Sequence, residues 1–429
     1  MIQNFFMRRL QYNQQTRRFF MTIVALGFTI DGVFSVLLNL YMLRLGYDTP
    51  FIGQVNSVGL MTFALVSFPA GLFGSWWTSS RMLRIGLGSI LIGATLLPFV
   101  ECIPVTWQGL WLMVTYSMTL AGFSLYFVNS APFLMSVVEP DKQNNAFAMQ
   151  TALLALAAFV GSLVGGNLPS LFAQGLNVSL DAPAPYRYTL LLTSIVVLLA
   201  FLITMTIIEP PSREDESDEA DEVIEKRKNH TLTRATIIVI VIMSVVRFLQ
   251  VAGVATVSIF FNVYMDTVLE MSPNLIGTIA AIARIIAVPA ALIAPFLIRR
   301  SSIGAVATLA SLATGLCLLP IAFIPSEWAA ASGYISAIAM SNMRFTAFIV
   351  YIMLLVPKNR QPMMAGAGEA SAGLSFAIMA LSGGYIASIF SFSELFLLGA
   401  ILTSLGTFIF WLYLRKNPAK EKRQASDAV

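Results

Sequence analysis

The sequence predicts an all-α membrane protein of about twelve transmembrane helices, arranged as two six-helix bundles related by a pseudo-two-fold axis. Three observations carry this expectation: the composition, the length of the apolar runs, and a repeat between the two halves. Of the 429 residues, 57% are hydrophobic and only 11% are charged, too few charges to cover the surface of a water-soluble domain. The apolar residues come in runs of about twenty or more, which as helix cross a hydrocarbon core of roughly 30 Å. They place spans at 19–44, 51–76, 82–101, 108–138, 143–173 and 188–208, then at 235–265, 273–298, 302–324, 328–356, 361–390 and 394–414.

The first run, from Phe19 to Leu43, is too long for the apolar core of a signal peptide and has no small-residue cleavage site, so it reads as the first span. One long polar segment, 209–234, separates spans six and seven. It opens with Pro210 and Pro211 and carries a run of Asp and Glu from Glu214 to Glu225, followed by Lys226, Arg227 and Lys228. Such a charge run reads as a solvated linker. The chain then divides into an N-terminal bundle (1–208), the linker (209–234), a C-terminal bundle (235–414) and a basic tail (415–429).

Basic residues set the expected orientation. With the N-terminus in the cytoplasm, that side holds most of the 26 Lys and Arg, among them Arg17, Arg18, Arg81, Arg84, Lys142, Arg299, Arg300, Arg360 and the tail; the opposite side has only Arg44 and Arg187. This asymmetry fits a multi-pass protein of the cell (inner or plasma) membrane with both termini cytoplasmic. The net charge of +4 is thereby a topology signal, and nucleic acid is not expected as a partner. Trp76, Trp77, Trp107, Trp111, Trp328 and Trp411 fall towards span ends, as headgroup-level anchors do.

An enzyme reading has little to stand on. Cys102 and Cys317 are isolated in apolar stretches and His230 is the single histidine, so neither a metal site nor a histidine dyad is expected. No nucleophile elbow, zinc helix or P-loop occurs, and Gly366-Ala-Gly368 lacks the spacing and the preceding strand of a nucleotide loop. No cofactor is implied.

The halves repeat one another. Ser35, Asn39, Tyr41, Met42, Pro50 and Gly53 recur as Ser258, Asn262, Tyr264, Met265, Pro273 and Gly277, with one residue inserted before the last. A second stretch matches Gln143, Gly165, Gly166 and Ser170 with Gln361, Gly383, Gly384 and Ser388. A six-span unit duplicated in the same topology places a cleft between two bundles. In this architecture the chain resembles the major facilitator superfamily over essentially its whole length. The loop after span two, usually G-x-x-x-D-R-x-G-R, aligns from Gly71 and retains Arg81 and Arg84, but has Ser75 at the acidic position. Gly161-x-x-x-Gly165-Gly166 in span five is similar to an antiporter-type motif without its proline. The subfamily is not identified by these motifs. The resemblance implies that spans 1, 4, 7 and 10 line a cavity, flanked by 2, 5, 8 and 11, with 3, 6, 9 and 12 outside.

Ionisable residues inside spans are costly and mark function. They are Asp31, Arg247, Arg284, Arg344 and Glu369, none of them in spans 3, 6, 9 or 12. These are the candidates for substrate and coupling-ion contacts. Asp31, Ser35 and Asn39 form one stripe at i, i+4 spacing, and Arg247, Ser258 and Asn262 trace a similar line on span seven. Tyr126 and Asn129 on span four are further cavity candidates. Gly161, Gly165, Gly166, Gly383 and Gly384 are expected to allow close helix packing, with a hinge role secondary. Fixed ion pairing between helices is the alternative role for each charged residue. Three arginines against two carboxylates leave one cation in excess, for which an anionic ligand is the natural compensation. The resulting expectation is a secondary active, proton-coupled or facilitative carrier of a small organic substrate, with a slight lean to an anionic one, monomeric in the lipid bilayer. A multidrug exporter of lipophilic compounds is one alternative, suited to the 31 Phe and 20 Met. A non-transporting sensor or assembly factor is the alternative from another class.

Overall fold

The structure, a computed structural model, describes residues 12–73, 78–139, 142–208, 234–356 and 360–416. Ser75, Trp76, Trp77, His230, nearly all of the linker (209–233) and most of the tail (417–429) lie outside these residues. Twelve helices among the described residues are long and apolar enough to cross a membrane. They are α1 Gln14–Arg44, α2 Thr49–Phe73, α3 Ser79–Cys102, α4 Val105–Val137, α5 Gln143–Leu176 and α6 Ala184–Met205 in the first half. The second half has α7 Arg234–Thr267, α8 Pro273–Arg300, α9 Ile303–Phe323, α10 Glu327–Leu354, α11 Gln361–Ile389 and α12 Phe392–Lys416.

Local chemistry explains where the helices begin and end. The first helix starts at Gln14, earlier than hydropathy suggests, because the Asn13 side chain accepts the Thr16 amide at 2.8 Å and caps a polar turn. Ser302 and Ser326 cap α9 and α10 through the amides of Ala305 and Ala329. The α1–α2 turn passes through Gly46 at φ +87°, a conformation that only glycine adopts freely. Leucines and isoleucines such as Leu199, Leu202, Leu309 and Ile401 cover the outside of the bundle. In water this surface would aggregate; against lipid tails it is matched.

The outer and inner helices sort as the resemblance implies. α3 packs on α4 and α6, and α9 on α10 and α12; none of α3, α6, α9 and α12 reaches the central cavity. The halves meet where α2 runs along α11 and α5 along α8. These two crossings are mates under the internal repeat, and each is made by facing glycines. A Cβ on Gly277 would fall 2.6 Å from the Gly166 Cα, and one on Gly384 would fall 3.2 Å from the Gly53 Cα. Gly383 closes instead on the Phe260 ring within its own half, and Gly161 and Gly165 close on α1 at Gly32 and Val33.

These crossings lie towards the membrane face opposite the termini, and polar bonds close the halves there. Asn39 Nδ2 donates to the Ile259 carbonyl at 2.6 Å, and Asn262 Nδ2 donates to the Ser35 and Val36 carbonyls at 2.6 and 3.1 Å. Asn39 and Asn262 correspond in the repeat, as do Val36 and Ile259, so the latch is made twice by one motif. Beyond it, the Arg44 guanidinium donates to both carboxylate oxygens of Asp266 at 2.7 and 2.6 Å, and to the Leu180 carbonyl at 3.1 Å. Gln54 on α2 donates to Tyr385 on α11 at 2.7 Å. The structure is therefore closed on the face opposite the termini.

A charge-assisted hydrogen bond contributes about 1.5–3 kcal/mol and a neutral one about 1, so losing this closure should shift the equilibrium by about tenfold or more. In a Cys102→Ser, Cys317→Ser background, spin labels at Val178→Cys and Val268→Cys report the separation of the two halves on the closed face. Combining Asn39→Ala, Asn262→Ala and Asp266→Asn should move the distance distribution towards longer values. An unchanged distribution would show that the glycine crossings alone hold this face shut.

Candidate functional site

The site begins with an irregularity in α1. Residues Gly27–Phe34 form a π-helical stretch, a geometry that often marks functional positions because it re-aims side chains within a helix. It is held by close packing on α5: a Cβ on Gly27 would fall 2.5 Å from the Leu154 carbonyl, and one on Gly32 would fall 2.6 Å from the Gly161 Cα. Asp31 sits in the middle of this stretch, half-buried. One turn on, the Ser35 hydroxyl is shared between the carbonyls of Asp31 and Gly32 and accepts from Arg284 Nη2 at 2.8 Å. Arg284 thus reaches from α8 in the second half to α1 in the first, within electrostatic range of Asp31. Asp31 forms no ion pair among the described residues.

A second cluster belongs to the C-terminal half. Arg247 on α7 is 4% exposed and donates through Nη2 to Glu369 Oε1 on α11 at 3.2 Å. Its guanidinium lies over the rings of Phe345 and Phe348 on α10, 4.9 and 5.7 Å from their centroids. Arg344, also on α10, is 2% exposed and within electrostatic range of Arg247 and Glu369. Among the described residues its one polar contact is a long bond from Nη2 to Ser341 Oγ at 3.4 Å, and Nε and Nη1 have no partner. Arg247 Nη1 and Arg284 Nε are likewise without partners.

Both clusters line one cavity of about 550 Å³ between the halves. It holds Asp31, Arg247, Arg284, Arg344 and Glu369, together with Ser35, Asn39, Ser258 and Asn262. Glu369, Asn342 and Phe345 are exposed in it, so it opens towards the side of the termini, away from the latch. The charge of the lining is one positive in excess.

Tyr126 and Asn129 lie elsewhere. The cavity face of α4 carries Tyr116, Leu120 and Phe123, and the helix turns Tyr126 towards α1, where it stacks on Phe19 and shares a 2.5 Å bond with Thr22. Asn129 is buried and returns its amide to the Leu125 carbonyl. Span four has no charged residue to fix its phase, and its apolar residues run all round it. In their place the lining includes Asn56, Tyr116, Tyr334 and Asn342. Asn56 and Asn342 were visible as polar residues within apolar runs, but neither lies on the stripes that run through Asp31 and Arg247. Asn56 donates to Asn39 Oδ1 at 2.9 Å and so orients the latch.

Two six-helix bundles around a charged, one-sided cavity define a multi-pass membrane transporter. The chain belongs to the Major Facilitator Superfamily, a class of secondary transporters, whose sequence model matches residues 19–367 and 330–428. No curated protein matches the sequence. Among solved structures, the fold is similar to that of a D-xylose–proton symporter, at 13% identity and a TM-score of 0.74 over 92% of this chain and 97% of the other. A bacterial homologue of the human lysosomal transporter Spinster, inward-facing and occupied, shares 12% identity with a TM-score of 0.71 over 94% and 97%. A nucleoside transporter shares 14% identity with a TM-score of 0.68 over 93% and 98%.

A buried guanidinium with one weak bond is a burden on the empty protein, since desolvation of a charge costs several kcal/mol unless it is paired. Arg344→Gln should leave the thermal midpoint of the purified protein equal to or above that of the wild type. A fall of more than about 5 °C would instead assign Arg344 a structural role.

Proposed function

We propose that this protein is a secondary active transporter working by alternating access, coupled to protons and carrying a small organic anion. The observation that carries the reading is the gathering of Asp31, Arg247, Arg284, Arg344 and Glu369 around one cavity with an excess guanidinium. The unpartnered nitrogens of Arg247, Arg284 and Arg344 support an anionic ligand. Asp31, a carboxyl facing a cavity within the membrane and without a fixed ion pair, suits a proton carrier. Arg284, placed near it and bonded across the halves to Ser35, suits a counter-charge that senses its protonation. The similar folds include a proton symporter and a nucleoside transporter, which supports gradient-driven solute transport. With both termini in the cytoplasm, as the basic residues favour, the closed face is external and the structure is open to the cytoplasm of the cell. The protein then acts as a monomer in the plasma or inner membrane.

A second reading, export of lipophilic compounds, is favoured by Phe34, Phe63, Phe123, Phe345 and Phe376 in the same cavity. Uptake into proteoliposomes with an internal pH dye separates the two. Organic anions should drive a proton flux that falls by about tenfold or more in Asp31→Asn and in Arg247→Gln. Flux driven by lipophilic cations alone would replace the first reading with the second, and no flux with any solute would remove both.

A further inference from the structure

The two charged clusters differ in how nearly complete they are. In the first, Asp31 and Arg284 balance in charge, and Arg284 already donates to Ser35. In the second, Arg247 and Arg344 face a single carboxylate, Glu369, whose side chain is 60% exposed while that of Arg247 is 5% exposed. Arg247 Nη1, Arg344 Nε and Arg344 Nη1 have no partner, and the two guanidinium groups repel each other. The cluster therefore lacks one negative charge and acceptors for several N–H groups. A planar or tetrahedral oxyanion accepting two or more of these bonds fits that deficit. Since Arg247, Arg344 and Glu369 sum to one positive charge, a monoanion neutralises it.

The surroundings restrict the rest of the ligand. Phe345 and Phe376 of the same half also line the cavity, and Leu60, Phe63 and Phe123 line it from the other half. Phe345 already lies under the Arg247 guanidinium, so an acidic group on Arg247 brings its attached body against the ring. A small, wholly hydrophilic anion would leave these rings facing water or its own polar groups. A cavity of about 550 Å³ is of the size that buries a small organic molecule.

We infer that the cavity takes an amphipathic organic monoanion, its acidic group held between Arg247 and Arg344 and its apolar body lying against Phe345 and Phe376. The inference rests on the transporter reading of the cavity, and it separates a substrate end at Arg247 and Arg344 from a coupling end at Asp31 and Arg284. The acidic group is a carboxylate or a singly charged phosphate.

The test is binding to the purified full chain in nanodiscs of zwitterionic lipid, read by calorimetry and by thermal protection. The probes are benzoate and octanoate beside benzamide and octanamide, with methyl phenyl phosphate beside dimethyl phosphate, both singly charged diesters. Benzoate and octanoate should bind, and the two amides should bind about tenfold more weakly or worse. Arg344→Gln should remove that discrimination, and Arg344→Lys should retain part of it. Methyl phenyl phosphate binding more tightly than benzoate supports the same site with phosphate as the acidic group. Amides binding as tightly as the acids overturn the inference, as does dimethyl phosphate matching methyl phenyl phosphate. Failure of every anion to bind also overturns it, as does a folded Arg344→Gln protein that still discriminates as the wild type does. Proteoliposome flux keeps the two readings apart. Anion binding without any solute-driven flux removes transport and leaves this site, whereas proton flux driven only by neutral solutes removes this site and leaves transport.

Discussion

A guanidinium surrounded by hydrocarbon has no partner, and much of the architecture answers that one constraint. Arg247, Arg284 and Arg344 lie deep within spans, where leaving a charge against lipid costs several kcal/mol. Each is on a helix that turns one face away from lipid, and each uses that face. The outer helices α3, α6, α9 and α12 shield the inner ones, and only the inner ones contribute to the cavity. The cavity is thus the place where the bundle keeps its charges, and the unpaired nitrogens there are tolerated because they face neither lipid nor close-packed apolar core alone.

The internal repeat was spent unevenly. At the closed face both copies do the same work: Asn39 and Asn262 each bond the backbone of the other's helix, and Gly53 and Gly277 each lie against a glycine of the opposite half. In the cavity the copies have diverged. The first half contributes a single carboxylate, Asp31, whereas the second contributes three arginines and Glu369. Symmetry is retained where the halves meet and lost in the cavity between them. That distribution supports the alternating-access working proposed above.

Hydropathy and the repeat made the twelve spans and the five charged residues legible in the sequence, and the family resemblance supplied the inner and outer helices. Those signals survive because lipid enforces them at every residue. Three features left no such mark. The π-helical stretch at Gly27–Phe34 adds less than one residue per turn, too little to disturb an all-round apolar pattern. The phase of α4 was open for the same reason, and so Tyr126 and Asn129 turned out to pack away from the cavity while Tyr116 faced it. Finally, Arg44 and Arg187 read only as exceptions to the basic-residue asymmetry. Each in fact answers a specific carboxylate: Arg44 pairs with Asp266 across the halves and Arg187 with Glu101 within one. A cation on the sparsely charged side survives there because a structural partner holds it.

Ser35 shows how closely the site and the closure are joined. Its hydroxyl accepts from Arg284, while its carbonyl accepts from Asn262 of the latch. Its other contacts run back to the carbonyls of Asp31 and Gly32 in the irregular part of α1. One short residue therefore touches the carboxylate's turn, the facing guanidinium and the bond that shuts the far side. The cavity's Arg284 and the closed face's Asn262 thus share Ser35 as a hydrogen-bonding partner, one helical turn from Asp31.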